Sequence, residues 1–433
     1  MFKRILALAL VLSVVLALFP ATAPAQEEVN CGTEDEVTIT LIAGQVGQEL
    51  EAVQNVANDF MAACPNITVN VTTRPTSSTD TLAQYQQFFD AQSSEIDVYQ
   101  LDVIWPGIVA EHMIDLMPYL TEEDLADFVQ GNIINNTVDG RLVALPWFAG
   151  SGMLYYRTDL LEKYGYDAPP QTWEELGEMA RTIQEGERAE NPDFWGFVYQ
   201  GNAYEGLTCD ALEWQASVGG GVIITPEGVV DVNNPAFIDI LDMMASWIGD
   251  IVPEAVTTFQ EEDARAVWQA GNAAFMRNWG YAYTLGNAED SVIAGLFDVA
   301  PLPGGEPGMT AATLGGWELG VSRYSANPDA AAAFAVFATS TEQQIKYVLA
   351  RGEAPTRLSV YDDPQIQEEL PFLRADVIAA AVARPSTVAG AGYAQVSELY
   401  YTAVHSVLTG DADAATAMED LELALGDLGF ELP

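Results

Sequence analysis

The chain has 433 residues, 49% of them hydrophobic, which excludes a disordered protein and exceeds one ordinary compact core, so two domains are expected. Lysine and arginine together number 16 against 63 aspartates and glutamates, a formal charge of −47. Such a chain repels nucleic acid and anionic lipid, which removes both as partners and leaves a solvated acidic surface suited to high salt or low ambient pH.

The N-terminus reads as an export signal. Lys3 and Arg4 precede an apolar run from Ile5 to Leu18, and Ala23-Pro24-Ala25 follows as a small-x-small cleavage pattern. The signal is predicted over residues 1–25, with a mature chain from about Gln26 that is delivered to the periplasm or the cell exterior. No later stretch approaches the roughly 20 apolar residues of a membrane span. Cys31 follows "EEVN" and so lacks the context of a lipoprotein site. Three cysteines in an exported chain suggest one disulfide and one leftover thiol.

The next elements alternate. "EVTITLIAG" (36–44) predicts a strand, "QELEAVQNVANDFMAAC" (48–64) a helix with apolar spacing at Leu50, Val53, Val56, Ala57 and Phe60, and "NITVNVTT" (66–73) a second strand. Strand–helix–strand implies a parallel pair with a right-handed crossover. Cys31 and Cys64 each precede one of those strands, which makes them neighbours at one sheet edge. A Cys31–Cys64 disulfide is therefore predicted, with Cys209 free and buried. A helix over 79–93 and a buried strand over 96–103 continue the pattern of an α/β doubly wound sheet. Glu49 falls in the first strand–helix turn, and Asp102 closes the third strand just before Trp105 and Pro106.

Further along, "LPWFAGSG" (145–152) places Trp147 and Phe148 in a glycine-containing connection. Thr172 and Glu175 form a T-x-x-E capping box. "GGGVIITPEGVVDV" (219–232) predicts a hairpin about its Pro-Glu-Gly turn. "FMRNWGYAYTL" (275–285) is unusual: read at strand period, Arg277, Trp279, Tyr281 and Tyr283 share one side. "PLPGGEPGM" (301–309) is a Gly/Pro loop suited to a crossing between lobes. "TLGGWELG" (313–320) sets Trp317 after a glycine pair, and Asn327-Pro328 starts a helix.

Metal and nucleophilic chemistry find little support. Only His112 and His405 are present, without H-x-x-x-H, C-x-x-C, G-x-S-x-G or a D-x-D-x-D-G calcium loop. "GQVGQE" (44–49) lacks the lysine and the glycine spacing of a phosphate loop. No metal and no cofactor are expected. The abundance of carboxylates leaves a catalytic pair open on counting alone. Aromatic and polar residues gathered at element ends instead suit a carbohydrate. The apolar faces of a pyranose lie on Trp or Tyr rings, and its hydroxyls match the paired acceptors of a carboxylate and the paired donors of a guanidinium.

With "LLEKYGYDAPPQTWEEL", "VWQAGNAAFMRNW", "TLGGWELGVSRYSANPDAAAAF" and "ARPSTVAGAGYAQVSEL", almost the whole mature chain resembles the extracellular solute-binding proteins of ABC sugar importers. These form the maltose-binding-protein superfamily, and the likeness is nearest to its trehalose/maltose binders. The resemblance implies a two-lobed periplasmic-binding-protein fold, each lobe a mostly parallel sheet flanked by helices. It places the lobes at 36–145 plus 303–341 and at 146–302 plus 342–433, with crossings near 144–149, 299–304 and 340–345. Glu49 and Asp102 are implied as first-lobe hydroxyl acceptors, and Trp147 and Phe148 as cleft residues. Trp279 and Tyr281 become stacking walls, Gly315 and Trp317 a close backbone approach and a platform, and Arg384 the second-lobe guanidinium. At positions 148 and 150 the resemblance implies a tyrosine and an acid, where this chain has Phe148 and Gly150.

The expected function is capture of a neutral sugar by a monomeric binding protein, not an enzyme, and delivery to an ABC permease driven by a separate ATPase. Hinge closure about the ligand is the implied mechanism. The rival readings are the same fold holding a polyamine, or iron through Tyr155-Tyr156 or Tyr400-Tyr401; a glycoside hydrolase; and an acidic adhesion protein.

Overall fold

The computed structural model describes residues 29–433; the expected signal, 1–25, lies outside the described residues. Two sheets organise the chain. The first runs, edge to edge, through strands Ala354–Pro355, Leu145–Ser151, Leu314–Val321, Val98–Asp102, Val37–Ala43 and Ile67–Thr73. The second has the order Phe297–Ala300, Met153–Arg157, Ala273–Asn278, Trp195–Val198.

The opening βαβ unit forms as its periodicity predicts, except that Leu50, expected on the apolar face of the helix, is exposed. Val37–Ala43 pairs in parallel with Ile67–Thr73 and with Val98–Asp102, and helix Glu49–Ala63 buries Val53, Val56, Ala57 and Phe60 against them. The edge strand Ile67–Thr73 buries Ile67 and Val69 and exposes the alternating Thr68, Asn70 and Thr72, whereas the central Val98–Asp102 is buried throughout. Cys31 is bonded to Cys64, and Cys209 is free and buried.

The sheets are mixed where mostly parallel ones are expected. In the first, the ladders of Leu314–Val321 with both neighbours and of Ala354–Pro355 with Leu145–Ser151 are antiparallel. In the second, only Trp195–Val198 pairs in parallel with Ala273–Asn278. The reason is topological. Strands supplied by segments that pass between the lobes enter each sheet running back against the βαβ strands.

The passages also differ from expectation. Leu145–Ser151 still belongs to the first sheet and Met153 already to the second, so the chain changes sheets at Gly152. Segment 301–313 joins Phe297–Ala300 to Leu314–Val321, where the Gly/Pro loop suggests a crossing. The expected passage at 340–345 does not occur there. Helix Thr341–Arg351 packs Tyr347 into the first core beside Trp147 and Phe148, and Ala354–Pro355 extends the first sheet. The chain returns only afterwards, when helices Tyr393–Leu408 and Ala414–Asp427 pack on Glu205–Ser217 and Pro235–Trp247.

Other local signals behave as read, with exceptions. Thr172 Oγ1 accepts from the Glu175 N–H at 3.1 Å and Glu175 Oε2 from the Thr172 N–H at 3.3 Å, closing the capping box. Asn327 precedes helix Pro328–Ala338, but its amide donates to the Thr38 carbonyl and does not cap. The 219–232 hairpin reduces to a single bridge, Ile224 with Val230.

Candidate functional site

The segment 275–285 is not one strand. Ala273–Asn278 is, with every residue buried; Gly280 then turns the chain into helix Tyr281–Gly286. The four residues expected on one face therefore have four separate roles. Arg277 is 1% exposed and bound between Glu213, at 2.5 and 2.7 Å, and Asp210, at 3.0 Å. Its guanidinium lies 4.0 Å from the centre of the Trp279 ring and backs that ring from within the second lobe. Tyr281 donates to Glu262 at 2.8 Å and presents its ring to the interlobe space. Tyr283 packs on Phe297 and Phe372 and is structural.

Trp279 and Tyr281 line a cavity between the two sheets that encloses about 710 Å³, part of it open to solvent, within the range of small-ligand sites. Its other walls are element ends, where open α/β sheets hold ligands. Glu49 opens the first helix, Asp102 ends the third strand, and Gly315, Gly316 and Trp317 lie on the strand beside it. Phe148, Gly150 and Arg384 complete the expected group.

Trp147 is the exception. It is 1% exposed in the first core: the ladder shifts register here and skips Trp147, whose ring packs with Phe148 on Tyr347, while Phe148 also lines the cavity. Tyr155 and Tyr400 are also committed elsewhere: their hydroxyls donate to the Trp279 carbonyl and to Gln215.

Each first-lobe acid is held in place. Glu49 accepts from Gln100 at 2.7 Å and from the Val46 N–H at 3.2 Å. Asp102 accepts from Arg384 at 3.1 Å, and the same guanidinium donates to Glu205 at 2.7 Å. Glu205 opens a second-lobe helix, also accepts from Tyr393 and Ser397, and its N–H donates to Thr79 of the first lobe at 3.2 Å. Arg384 thus ties carboxylates of both lobes together. Burial raises the Glu205 carboxyl against the pull of Arg384. The Arg74 guanidinium lies over Trp317, 3.5 Å from the ring centre, and Trp105 meets the same ring edge-on.

Sequence reasoning missed Arg74, Glu205, Glu261, Arg351 and Glu353, all of which line the cavity. A signal existed for the cations: in a chain with 16 basic residues, Arg74 directly after a strand and Arg351 at a helix end stand out. Burial pushes the Glu353 carboxyl up to about 7 against the Arg351 guanidinium, and the Glu49 charge adds to the rise. Behind the cavity, burial pushes Glu318 up to about 8 against a hydrogen bond from Asn136, with the Asp102 charge adding.

Two lobes about a polar, aromatic-walled cleft define a solute-binding protein, and sequence comparison agrees. Residues 44–345 match the family of bacterial extracellular solute-binding proteins, and the chain belongs to that family. It is 47% identical to a probable ABC transporter-binding protein of Deinococcus radiodurans, over 89% of this chain and 92% of that one. Among solved structures it is similar to maltose-bound MalE3 of T. maritima, at 41% identity and a TM-score of 0.86, covering 90% of this chain and all of the other. A tagatose-bound solute-binding protein of Thermotoga lettingae, 24% identical over 90% of this chain and 99% of its own, shares the fold at a TM-score of 0.80. The family comprises binding proteins of transporters, not enzymes. No helix among the described residues is long and apolar enough to cross a membrane.

Proposed function

We propose that this protein captures a neutral mono- or disaccharide of the trehalose/maltose type between its lobes and delivers it to the permease of an ABC importer. The observation that carries the reading is the pairing of Trp279 and Trp317, one from each lobe, in a single cavity whose rim is carboxylate and guanidinium. Rings supply stacking surface for C–H faces, and the charged rim takes the hydroxyls. The likeness to a maltose-bound protein over nearly the whole chain supports it. The ligand touches both lobes, so it favours the closed arrangement, which is the form offered to the permease.

Five carboxylates line the cavity (Glu49, Asp102, Glu205, Glu261, Glu353) against three guanidinia (Arg74, Arg351, Arg384), and this excess keeps a polyamine as the second reading. A tryptophan-fluorescence titration of the mature protein at high salt with trehalose, maltose, sucrose, glucose and spermidine separates the two. Saturation by a sugar in the micromolar range or below is expected. A response to spermidine alone overturns the sugar reading.

A further inference from the structure

Glu353 stands apart from the other acids of the cleft. Glu49 is held by Gln100, Asp102 by Arg384, Glu205 by Arg384, Tyr393 and Ser397, and Glu261 by Tyr204. No side chain donates a hydrogen bond to Glu353 among the described residues, and Arg351 comes no nearer than 3.5 Å. Yet the residue is only 6% exposed. Its donors within the protein are the Tyr281 backbone N–H and, at longer range, Arg351, which leaves a carboxylate this buried with capacity for a further donor from the cavity.

The space it faces is the ligand cavity, at Gly150. A Cβ added there would lie 3.4 Å from Glu353 Oε2 and 3.7 Å from the Trp279 ring. Gly150 lies within a strand and has no positive φ, so its backbone does not demand glycine. What the missing side chain provides is room: it leaves the carboxylate and the face of Trp279 open to one ligand. Glu353 itself is aimed there by the edge strand that follows it, whose Ala354 pairs with Ala149.

We infer that Glu353 is a ligand-contacting, specificity-determining carboxylate, accepting hydrogen bonds from two neighbouring hydroxyls of a neutral sugar and rejecting a sugar that carries an acid group at that end. The inference rests on the sugar-binding reading above. Its two oxygens match the donor spacing of a vicinal diol as they match a guanidinium fork. A sugar acid would bring a further negative charge beside Glu353 and Glu49 in a site of low dielectric.

Protonation of this group becomes a readout of the contact. The charged and titratable groups about Glu353 are Arg351, Glu49, Tyr281, Tyr155, Tyr347 and, on the outer side, Arg374. With its carboxyl pushed up to about 7, chiefly by burial, it changes charge near neutrality. Donor hydroxyls favour the ionised form, so sugar affinity rises as pH increases through 7.

The test is calorimetric titration of the wild type, Glu353→Gln and Glu353→Ala with maltose, trehalose, glucose and glucuronic acid at pH 6 and pH 8, with melting curves on the same samples. Glu353→Ala is expected to weaken binding of the preferred sugar about tenfold or more at pH 8, with the melting temperature unchanged or raised. Glu353→Gln keeps the shape and abolishes the rise in affinity between the two pH values. Wild-type binding that both variants match at both pH values overturns this inference and leaves the sugar reading intact. A wild type that binds no sugar overturns both.

Discussion

Gly315 carries no side chain because the opposite lobe occupies its place: a Cβ there would lie 2.9 Å from the Trp279 ring. Gly315→Val should therefore push Trp279 aside and reduce sugar affinity about tenfold or more without unfolding either sheet, which titration and circular dichroism would show together. Removing the ring itself should do at least as much. Trp279→Ala and Trp317→Ala are each expected to weaken binding by about 2 kcal/mol or more, as buried aromatic anchors do; unchanged affinity in both would sink the stacking model. Arg384 is a different case. It is a planar fork shared by Asp102 and Glu205, so lysine can satisfy one of them at a time. Arg384→Lys should leave one buried carboxylate under-served and lower affinity more than the retained charge suggests.

Elements carry these residues to the cleft and also set how closely the lobes meet. Gly47, with φ +58°, approaches Tyr281 and Leu285 of the second lobe so closely that a Cβ would fall 3.0 and 2.9 Å from them. Thr284 donates to the Arg351 carbonyl across the same rim at 3.2 Å, and a Cβ on Gly280 would meet the Gly352 carbonyl oxygen. On the other rim Glu205 meets Thr79 and Gly107 faces Gly390. Gly47→Val combines strained backbone with a steric wedge at this seam. It should hold the lobes apart, giving a larger radius of gyration by small-angle scattering in saturating sugar and weaker binding, although position 47 lies outside the cavity lining. At this scale periodicity was a good guide to Val37–Ala43, Glu49–Ala63 and Ile67–Thr73, whose pattern reports one partner surface. It misled at 275–285, where alternating aromatics resembled a strand face but Gly280 converts strand to helix, and only the packing of Tyr281 and Tyr283 on different neighbours reveals this.

Over the whole molecule, charge governs the response to solvent. Glu205, Glu261, Glu318 and Glu353 all have carboxyls raised by burial, so the folded state holds protons that the unfolded chain releases. For Glu353 and Glu318 the favourable contribution is complete below the unfolded value of about 4.5 and is lost as pH rises through about 7 and about 8, and Glu205 and Glu261 act in the same direction. For Glu353 alone the loss is of order 3 kcal/mol. Asp59, Asp124 and Asp127 are lowered, and their contribution is lost only below about pH 4. Calorimetry should thus find a melting temperature several degrees higher at pH 5 than at pH 8, and Glu318→Gln should narrow that gap. The formal charge of −47 predicts in addition that added salt raises the melting temperature over a molar range, as screening relieves repulsion between surface carboxylates; a flat response would count against adaptation of this surface to salt.

Local pattern by itself determined the βαβ start, the capping box at Thr172, the Cys31–Cys64 pairing and the concentration of aromatic and acidic residues at element ends. These depend on neighbours close in sequence or on a single repeating face. Tertiary structure decided the rest. It sent Trp147 wholly into the core and left Phe148 between core and cleft, returned 341–355 to the first lobe, and assembled Glu205, Arg384 and Asp102 into one bridge across lobes. It also set Glu353 beside Gly150, two residues 203 positions apart that no period or motif connects. Which side of a strand meets a cavity, and which distant carboxylate shares it, is settled by burial summed over the whole fold.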